Sequence, residues 1–245
     1  MNINFENINK VLDAIFPLPP EFGVESSSND VSEEPALAEI EHRIFKVDPR
    51  AFIRHGISKL VLISPNFGNV VIKIPFKGTR CEEYFLSDSE NEETYYEYYT
   101  EFTEFSGASD RDSSDYCLLE YEIYNTLKHY SFSCFAVKTI FYKIIEGTRI
   151  FLQEMACPEE DCDESFDISE KSEKTAIRWR HEHRYSASMD TNWVAACIDK
   201  YGERKTKKFF EFADENNLLY DMHNGNYGYR KGGYPVLIDF SDFNG

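Results

Sequence analysis

The sequence predicts an α+β fold, because segments with strand patterning and segments with helical patterning follow one another along its 245 residues. β-Rich runs separated by turn residues, such as "KLVLIS" and "NVVIKIPF", predict antiparallel hairpins. Apolar residues at helical spacing in "DYCLLEYEIYNTLKHY" predict a helix between two such hairpins. A hydrophobic content of 42% allows these elements to bury a core.

The chain up to about residue 156 divides into six predicted segments. Residues 1–20 are expected to form a short helix that ends at "PLPP", and the polar, acidic residues 21–38 to form a linker. A first hairpin turns at "PNFG". Residues 79–115, rich in Glu and Tyr, are interpreted as a solvated and partly helical insertion. After the helix at 115–130, a second hairpin turns at Glu146–Gly147.

The second half is predicted to be mostly helical until its last hairpin. An acidic linker is expected over residues 158–174. The basic and aromatic run "RWRHEHRY" at 178–185 is interpreted as a solvated helix, or else as a contact for a phosphate or a partner. "TNWVAACIDKYGERKTKKFFEFADENN" predicts a long amphipathic helical region with a break at Gly202. "NYGYRKGGYPVLIDF" predicts a terminal hairpin.

Charge and composition limit the classes of partner. A net charge of −18 argues against direct contact with a nucleic-acid backbone or an anionic membrane, and it fits a basic protein partner. The sequence contains no run of about 18 apolar residues, so no transmembrane helix is predicted. The acids near the N-terminus argue against a signal peptide. Six scattered Cys are typical of reduced thiols, which predicts a cytoplasmic protein.

The densest group of oxygen-bearing side chains lies in "DMHNGNYGYRKGGYPVLIDF". Asp221 and Asn226 form a D-x-H-x-x-N pattern, and Asp239 follows 13 residues later at the end of an apolar strand. The turn "RKGG" brings the two ends of this segment together. Oxygen ligands that converge in this way suit a hard cation such as Mg²⁺. Far upstream, Lys73 stands inside the apolar strand "VVIKIP", where an ammonium group needs an anion to face.

These motifs together resemble the signature set of the protein-kinase-like fold: "VVIKIP", an acid in an early helix, "YDMHNGN" and "LIDF". The last segment is most similar to the small serine/threonine protein kinases of bacteriophages and, more distantly, to aminoglycoside- and choline-type kinases. The resemblance implies a bilobal fold. Residues 1–44 would be an N-terminal helix and acidic linker, 45–156 an N-lobe with the insertion at about 79–114, and 157–245 a reduced C-lobe without an activation segment.

The resemblance also implies roles for the polar residues. Asp221 would orient the acceptor hydroxyl and accept its proton, and Asn226 and Asp239 would bind Mg²⁺. Lys73 would contact the α- and β-phosphates of ATP. Its helical ion-pair partner would be Glu120 or Glu122, which lie on different faces of the helix; we prefer Glu120, which shares a face with Tyr124 and Leu127.

Nucleotide contacts are implied at two further places. Gly56 lies 17 residues before Lys73, where a turn covering the phosphates would fall, and Ser58 would add a hydroxyl or an N–H group. Gln153 would be the gatekeeper at the end of a strand. The backbones of Glu154 and Ala156 would hydrogen-bond adenine.

The motifs depart from the family pattern in several places. Leu219 and Tyr220 stand where protein kinases have His-Arg, which argues against control by a phosphorylated activation loop. Ser241 replaces the Gly of Asp-Phe-Gly. His223 occupies a position that is Lys in many protein kinases and His in aminoglycoside-type enzymes, and it is assigned a supporting role. Six residues follow Asp239, so the usual platform for a peptide substrate is expected to be missing.

Four functions are compatible with these residues. The first is an ATP- and Mg²⁺-dependent serine/threonine kinase of bacteriophage type that phosphorylates a host protein, or itself, in the host cytoplasm. The second is a pseudokinase that acts as a binding or inhibitory module. The third is a small-molecule kinase of aminoglycoside type, whose acidic segment 158–190 would attract a cationic substrate. The fourth is an acidic decoy for a basic host protein, which leaves the Asp221–Asp239 spacing unexplained.

Overall fold

The computed structural model describes residues 1–19, 35–55, 59–75, 79–87, 94–102, 115–158, 167–185, 189–216, 218 and 225–240. These residues combine α-helices with antiparallel strand pairs, as predicted. The chain divides into a first unit, Met1–Cys117 with Ile140–Leu152, and a second unit, Leu118–Thr139 with Gln153–Gly245. Residues 1–44 therefore share a unit with the following strands, whereas most of the helix after the insertion falls in the second unit.

Helices and strands follow one another in groups along the described chain. The helices are α1 (Phe5–Ile15), α2 (Pro35–Val47), α3 (Tyr116–His129), α4 (Glu170–His181), α5 (Thr191–Tyr201) and α6 (Glu203–Glu215). The strands are β1 (Phe52–His55), β2 (Lys59–Ile63), β3 (Val70–Pro75), β4 (Thr79–Ser87), β5 (Thr94–Phe102), β6 (Thr139–Ile145), β7 (Thr148–Glu154), β8 (Cys157–Pro158), β9 (Tyr227–Arg230) and β10 (Tyr234–Leu237).

A five-stranded sheet in the order β1-β2-β3-β7-β6 contains both predicted hairpins. All six residues of β3 are buried, as expected for a central strand whose residues are nearly all apolar. Between β2 and β3 the chain makes a short 3-10 turn at Pro65–Phe67, capped by the Ser64 hydroxyl. The second hairpin turns at Glu146 and Gly147, which both have positive φ. Both turns lie where the sequence predicted them.

Two helices at the start of the chain pack in the same core as this sheet. Ile8 and Leu12 of α1 join Ile40 of α2 and Ile72 of β3 in one aliphatic cluster. The predicted linker at 21–38 was too long, because α2 already begins at Pro35. Residues 20–34 lie outside the described part of the chain. The apolar spacing of Leu37, Ile40 and Ile44 is the helical signal for α2.

The segment at 79–115 contains a long hairpin where we predicted a partly helical insertion. β4 and β5 pair over nine residues each, from Thr79 opposite Phe102 to Ser87 opposite Thr94. Helix is therefore wrong for Thr79–Ser87 and Thr94–Phe102, while residues 88–93 and 103–114 lie outside the described ranges. The run "TYYEYYTEF" is rich in Tyr and Thr, which favour strands, and this propensity was underweighted against the many acids.

The core of the second unit is formed mainly by helices α3 to α6. Trp193 of α5 and Phe209 and Phe210 of α6 lie in its buried centre. The break predicted at Gly202 is confirmed, since this residue has a φ of 86° and separates α5 from α6. The acidic linker predicted to reach residue 174 ends earlier, because the Ser169 side chain caps α4. Among the described residues, no helix combines the length and apolar composition needed to cross a membrane.

The predicted terminal hairpin is confirmed as β9 and β10, which pair from Arg230 opposite Tyr234 to Tyr227 opposite Leu237. Its turn is "KGG", in which both glycines have positive φ. β8 adds a third strand beside β9, so that the order is β10-β9-β8. This small sheet carries much of the candidate site.

Candidate functional site

The open end of the β9–β10 hairpin holds Asn226 and Asp239 next to each other. The Asn226 carbonyl accepts hydrogen bonds from the N–H of Ile238 at 2.8 Å and from the N–H of Asp239 at 3.1 Å. The Asn226 side chain is buried, and Asp239 is half-buried. Two of the three predicted oxygen ligands are therefore neighbours through backbone bonds, although they are 13 residues apart in sequence.

Polar atoms of the surrounding side chains fasten this hairpin to α5. The Trp193 indole N–H donates to the Gly228 carbonyl at 3.1 Å, and the Tyr227 hydroxyl accepts the Asp190 N–H at 2.7 Å. On the other strand, the Val137 N–H donates to the Leu237 carbonyl at 2.9 Å. Both strands are thus held from outside the hairpin, which limits how far their ends can move.

Gly228 permits the close approach of β8 to β9. A Cβ atom at this position would lie 1.9 Å from the Cys157 carbonyl oxygen. Because the obstacle is backbone, a larger residue cannot be accommodated by a side-chain rotation. The pairing of β8 with β9 is therefore specified by this glycine.

Lys73 lies on β3, opposite Val61 of β2, and its side chain is 3% exposed. It is therefore a buried lysine on a central strand and not a lysine at the edge of the sheet. Burying an ammonium group is costly unless an anion or several acceptors face it. Lys73 belongs to the first unit, while the hairpin belongs to the second.

Glu120 of α3 is fully buried and hydrogen-bonded, whereas Glu122 is exposed. The Gln153 side-chain N–H₂ donates to Glu120 Oε2 at 3.0 Å and to Thr139 Oγ1 at 3.1 Å. Gln153 and Thr139 are buried as well. The face of α3 that carries Glu120, which the sequence favoured, is thus the buried one. The contact of Gln153, the predicted gatekeeper, with Glu120 and Thr139 was not predicted.

Glu154, predicted to contact adenine, is hydrogen-bonded at two of its groups. Its N–H donates to the Lys138 carbonyl at 2.8 Å, and its carboxylate accepts from Arg230 Nε at 2.9 Å. A backbone contact with a base would therefore use the Glu154 carbonyl. Ala156 follows two residues later and directly precedes β8. Sequence reasoning missed Arg230, because nothing in "GYRKGG" signals a contact with a residue 76 positions earlier.

Four predicted site residues lie outside the described ranges: Gly56, Ser58, Asp221 and His223. Within those ranges, no group of three or more His, Cys, Asp and Glu side chains is placed to hold a metal ion. The amide oxygen of Asn226 and the carboxylate of Asp239 are nevertheless the hard oxygen donors that Mg²⁺ takes, with water and phosphate completing its shell. These donor types fit Mg²⁺.

Comparison with known proteins adds no relative. No family model, curated protein or solved structure matches this chain.

Proposed function

We propose that this protein is an ATP- and Mg²⁺-dependent phosphotransferase of the protein-kinase type, which transfers the γ-phosphoryl group of ATP to a serine or threonine hydroxyl of a protein. The observation that carries the proposal is the pairing of Asn226 with Asp239 at the end of the β9–β10 hairpin. A catalytic-loop Asn and a strand-end Asp are the two magnesium ligands of protein kinases. Their adjacency is what such a site requires.

Each residue would contribute charge or position rather than covalent chemistry. Bound Mg²⁺ would neutralise charge on the phosphates, held by Asn226 and Asp239. Lys73 would pair with the α- and β-phosphates. Asp221 would accept the proton of the attacking hydroxyl. Stabilising a loose, highly charged transition state in this way is sufficient for phosphoryl transfer.

The sheet of the second unit supports a nucleotide-binding role for Glu154 and Ala156. These residues lead directly into β8, which pairs with β9, and β9 begins one residue after Asn226. A base held by the Glu154 carbonyl and the Ala156 N–H would therefore sit on the same small sheet as the magnesium ligands. Adenine presents one donor and one acceptor to such a pair of backbone groups.

Phosphoryl transfer can be measured directly. Purified protein, radiolabelled ATP and Mg²⁺ are incubated with a bacterial lysate, and label in phosphoserine and phosphothreonine is counted. We expect Asp239→Asn and Asp221→Ala to reduce transfer by about 100-fold or more, since each removes a charge used in the transition state. Asp214→Asn, on the exposed face of α6, is the matched control and should leave transfer unchanged.

Three outcomes would contradict the proposal. If the unsubstituted protein transfers no more label to any acceptor than the Asp221→Ala variant does, catalysis is refuted. Binding of MgATP without transfer would favour a pseudokinase. Label on a small molecule only, with none on protein, would favour the aminoglycoside type of kinase. Adding EDTA separates metal-dependent transfer from background.

A further inference from the structure

Arg230 makes a set of contacts that the proposed catalytic roles do not use. Its Nε donates to Glu154 Oε2 at 2.9 Å. Its Nη1 donates to the Cys134 carbonyl at 3.2 Å, and its Nη2 donates to the Ala136 carbonyl at 2.6 Å. A planar guanidinium presents its donors in a rigid fork, so it can meet three separate acceptors at once, which a lysine ammonium on a flexible stem cannot reproduce.

The carboxylate at the other end of this contact is itself tied to the backbone. Glu154 Oε2 also accepts the Lys138 N–H at 3.3 Å, and the Glu154 N–H donates to the Lys138 carbonyl at 2.8 Å. The Arg230 and Glu154 side chains are 22% and 21% exposed, so solvent screens their charges only in part. Burial raises the pKa of Tyr124, and the Arg230 charge opposes this shift only in part, so Tyr124 stays neutral beside the pair.

The position of Arg230 on β9 connects two parts of the proposed site. Tyr229 pairs with Cys157, and the same antiparallel register carried one residue further puts Arg230 opposite Ala156. Arg230 is also four residues after Asn226 on the continuous segment that forms β9. Arg230 thus contacts Glu154, in the segment proposed to bind the base, and lies on the strand that follows Asn226, a proposed metal ligand.

We propose that Arg230 is a positioning residue for base recognition, which holds the Glu154–Ala156 backbone in the arrangement that binds adenine. It acts through Glu154 and does not itself touch the nucleotide. The inference rests on the proposed function. It predicts that loss of Arg230 weakens the base-dependent part of ATP binding and spares the part that depends on phosphate and metal.

Calorimetric titrations with MgATP and with magnesium tripolyphosphate separate these two parts, because tripolyphosphate has no base. For Arg230→Gln we expect the Kd for MgATP to rise about tenfold, the loss expected for one hydrogen bond to a charged group, and the Kd for tripolyphosphate to stay unchanged. Lys231→Gln removes the neighbouring, exposed positive charge and should change neither Kd.

Two further variants keep the test decisive if Arg230→Gln does not fold. Glu154→Gln leaves the Glu154 backbone in place but removes the charge, and it should also weaken MgATP selectively. Arg230→Lys keeps the charge without the fork and should not restore wild-type affinity. Equal losses for both ligands would mean a merely structural role and would overturn the inference, as would unchanged MgATP affinity in all three variants. If the unsubstituted protein does not bind MgATP, whether or not it binds tripolyphosphate, the proposed function fails, and this inference fails with it.

Discussion

The buried core cluster of the first unit is almost entirely aliphatic, whereas that of the second mixes aliphatic with many aromatic side chains. Among the described buried residues of the first cluster, Phe67 is surrounded by Ile, Leu and Val from α1, α2 and the five-stranded sheet. The second cluster contains Trp179, Trp193, Phe209 and Tyr227. Aliphatic side chains bring no hydrogen-bonding groups to a core, whereas Trp and Tyr bring one each.

This difference matters for how the two units hold functional groups. In the second unit, aromatic polar atoms reach the backbone of the terminal hairpin: the Trp193 indole at Gly228, and the Tyr201 hydroxyl at the Pro235 carbonyl, 2.8 Å away. Burial raises the pKa of Tyr201, so it remains a donor at neutral pH. In the first unit, the register of β3 against β2 places Lys73 opposite Val61. Aromatic side chains can therefore orient a hairpin through hydrogen bonds as well as support it through packing.

The largest expected effect is the loss of a central aromatic side chain. Phe209 stacks on Phe135 with ring centroids 4.1 Å apart, and it is fully buried. Phe209→Ala should lower the free energy of unfolding by about 4 kcal/mol, and Ile72→Ala in the aliphatic core by about 3 kcal/mol. Both tryptophans lie in the second unit, so urea titrations followed by Trp fluorescence report on that unit.

A loss below about 2 kcal/mol for Phe209→Ala would contradict this prediction, because it would mean that the aromatic cluster repacks around the gap. Circular dichroism at the same urea concentrations monitors both units and serves as the second readout.

A substitution at the closest backbone approach should come next. Gly228→Ala places a methyl group against the Cys157 carbonyl, and we expect a cost of about 3 kcal/mol together with loss of the β8–β9 pairing. Gly147→Ala is the matched control, since its Cβ would meet nothing within 4 Å and only the positive φ of 81° opposes it, at about 1 kcal/mol. Thermal unfolding of the two variants measures the difference, and equal stabilities would contradict it.

A smaller effect is expected when a buried aromatic residue is replaced by a smaller aromatic one that lacks its polar atom. Trp193→Phe leaves the buried Gly228 carbonyl without its donor, at a cost of about 1–2 kcal/mol. Under the proposed function, phosphoryl transfer should fall about tenfold, because the hairpin is less well placed. Trp179→Phe, buried against Phe210, is the control that should change stability but not transfer. Equal activities in both variants would show that the indole bond does not position the hairpin.

The smallest effect concerns Asp199 on α5. A hydrogen bond from Ser169 holds the pKa of Asp199 below its usual value, and the Ser172 hydroxyl adds another contact at 3.2 Å. A carboxyl with a lowered pKa in the folded state stabilises the protein above its unfolded-state pKa, and this contribution is lost as the pH falls through the folded-state pKa. Asp199→Asn should therefore cost a few tenths of a kcal/mol at pH 7, the size expected for an exposed charge.

The test is a comparison of unfolding midpoints for Asp199→Asn and the unsubstituted protein at pH 7 and near pH 3. The difference should be present at pH 7 and should shrink at the lower pH. A difference that is larger at low pH would have the wrong sign and would refute the assignment.

Much of the local structure could be predicted because it depends on neighbouring residues. The turn at Gly147, the break at Gly202 and the terminal "KGG" turn all follow from backbone conformations that glycine allows. The proximity of Asn226 to Asp239 follows from strand pairing across that same turn. By contrast, α2 and the β4–β5 hairpin were missed, because many acidic residues hid their apolar and Tyr-rich patterns.

The sequence by itself therefore determined the mixture of helices and strands, three of the hairpins, and the pairing of two candidate metal ligands within one hairpin. Only the tertiary structure decided that Gln153 contacts Glu120 and Thr139, and that Arg230 joins Glu154 to β9. The physical reason is the range of the interactions. Turn and register preferences act over a few residues, whereas a buried hydrogen bond requires that helices and strands first pack and bring together donors and acceptors that are far apart along the chain.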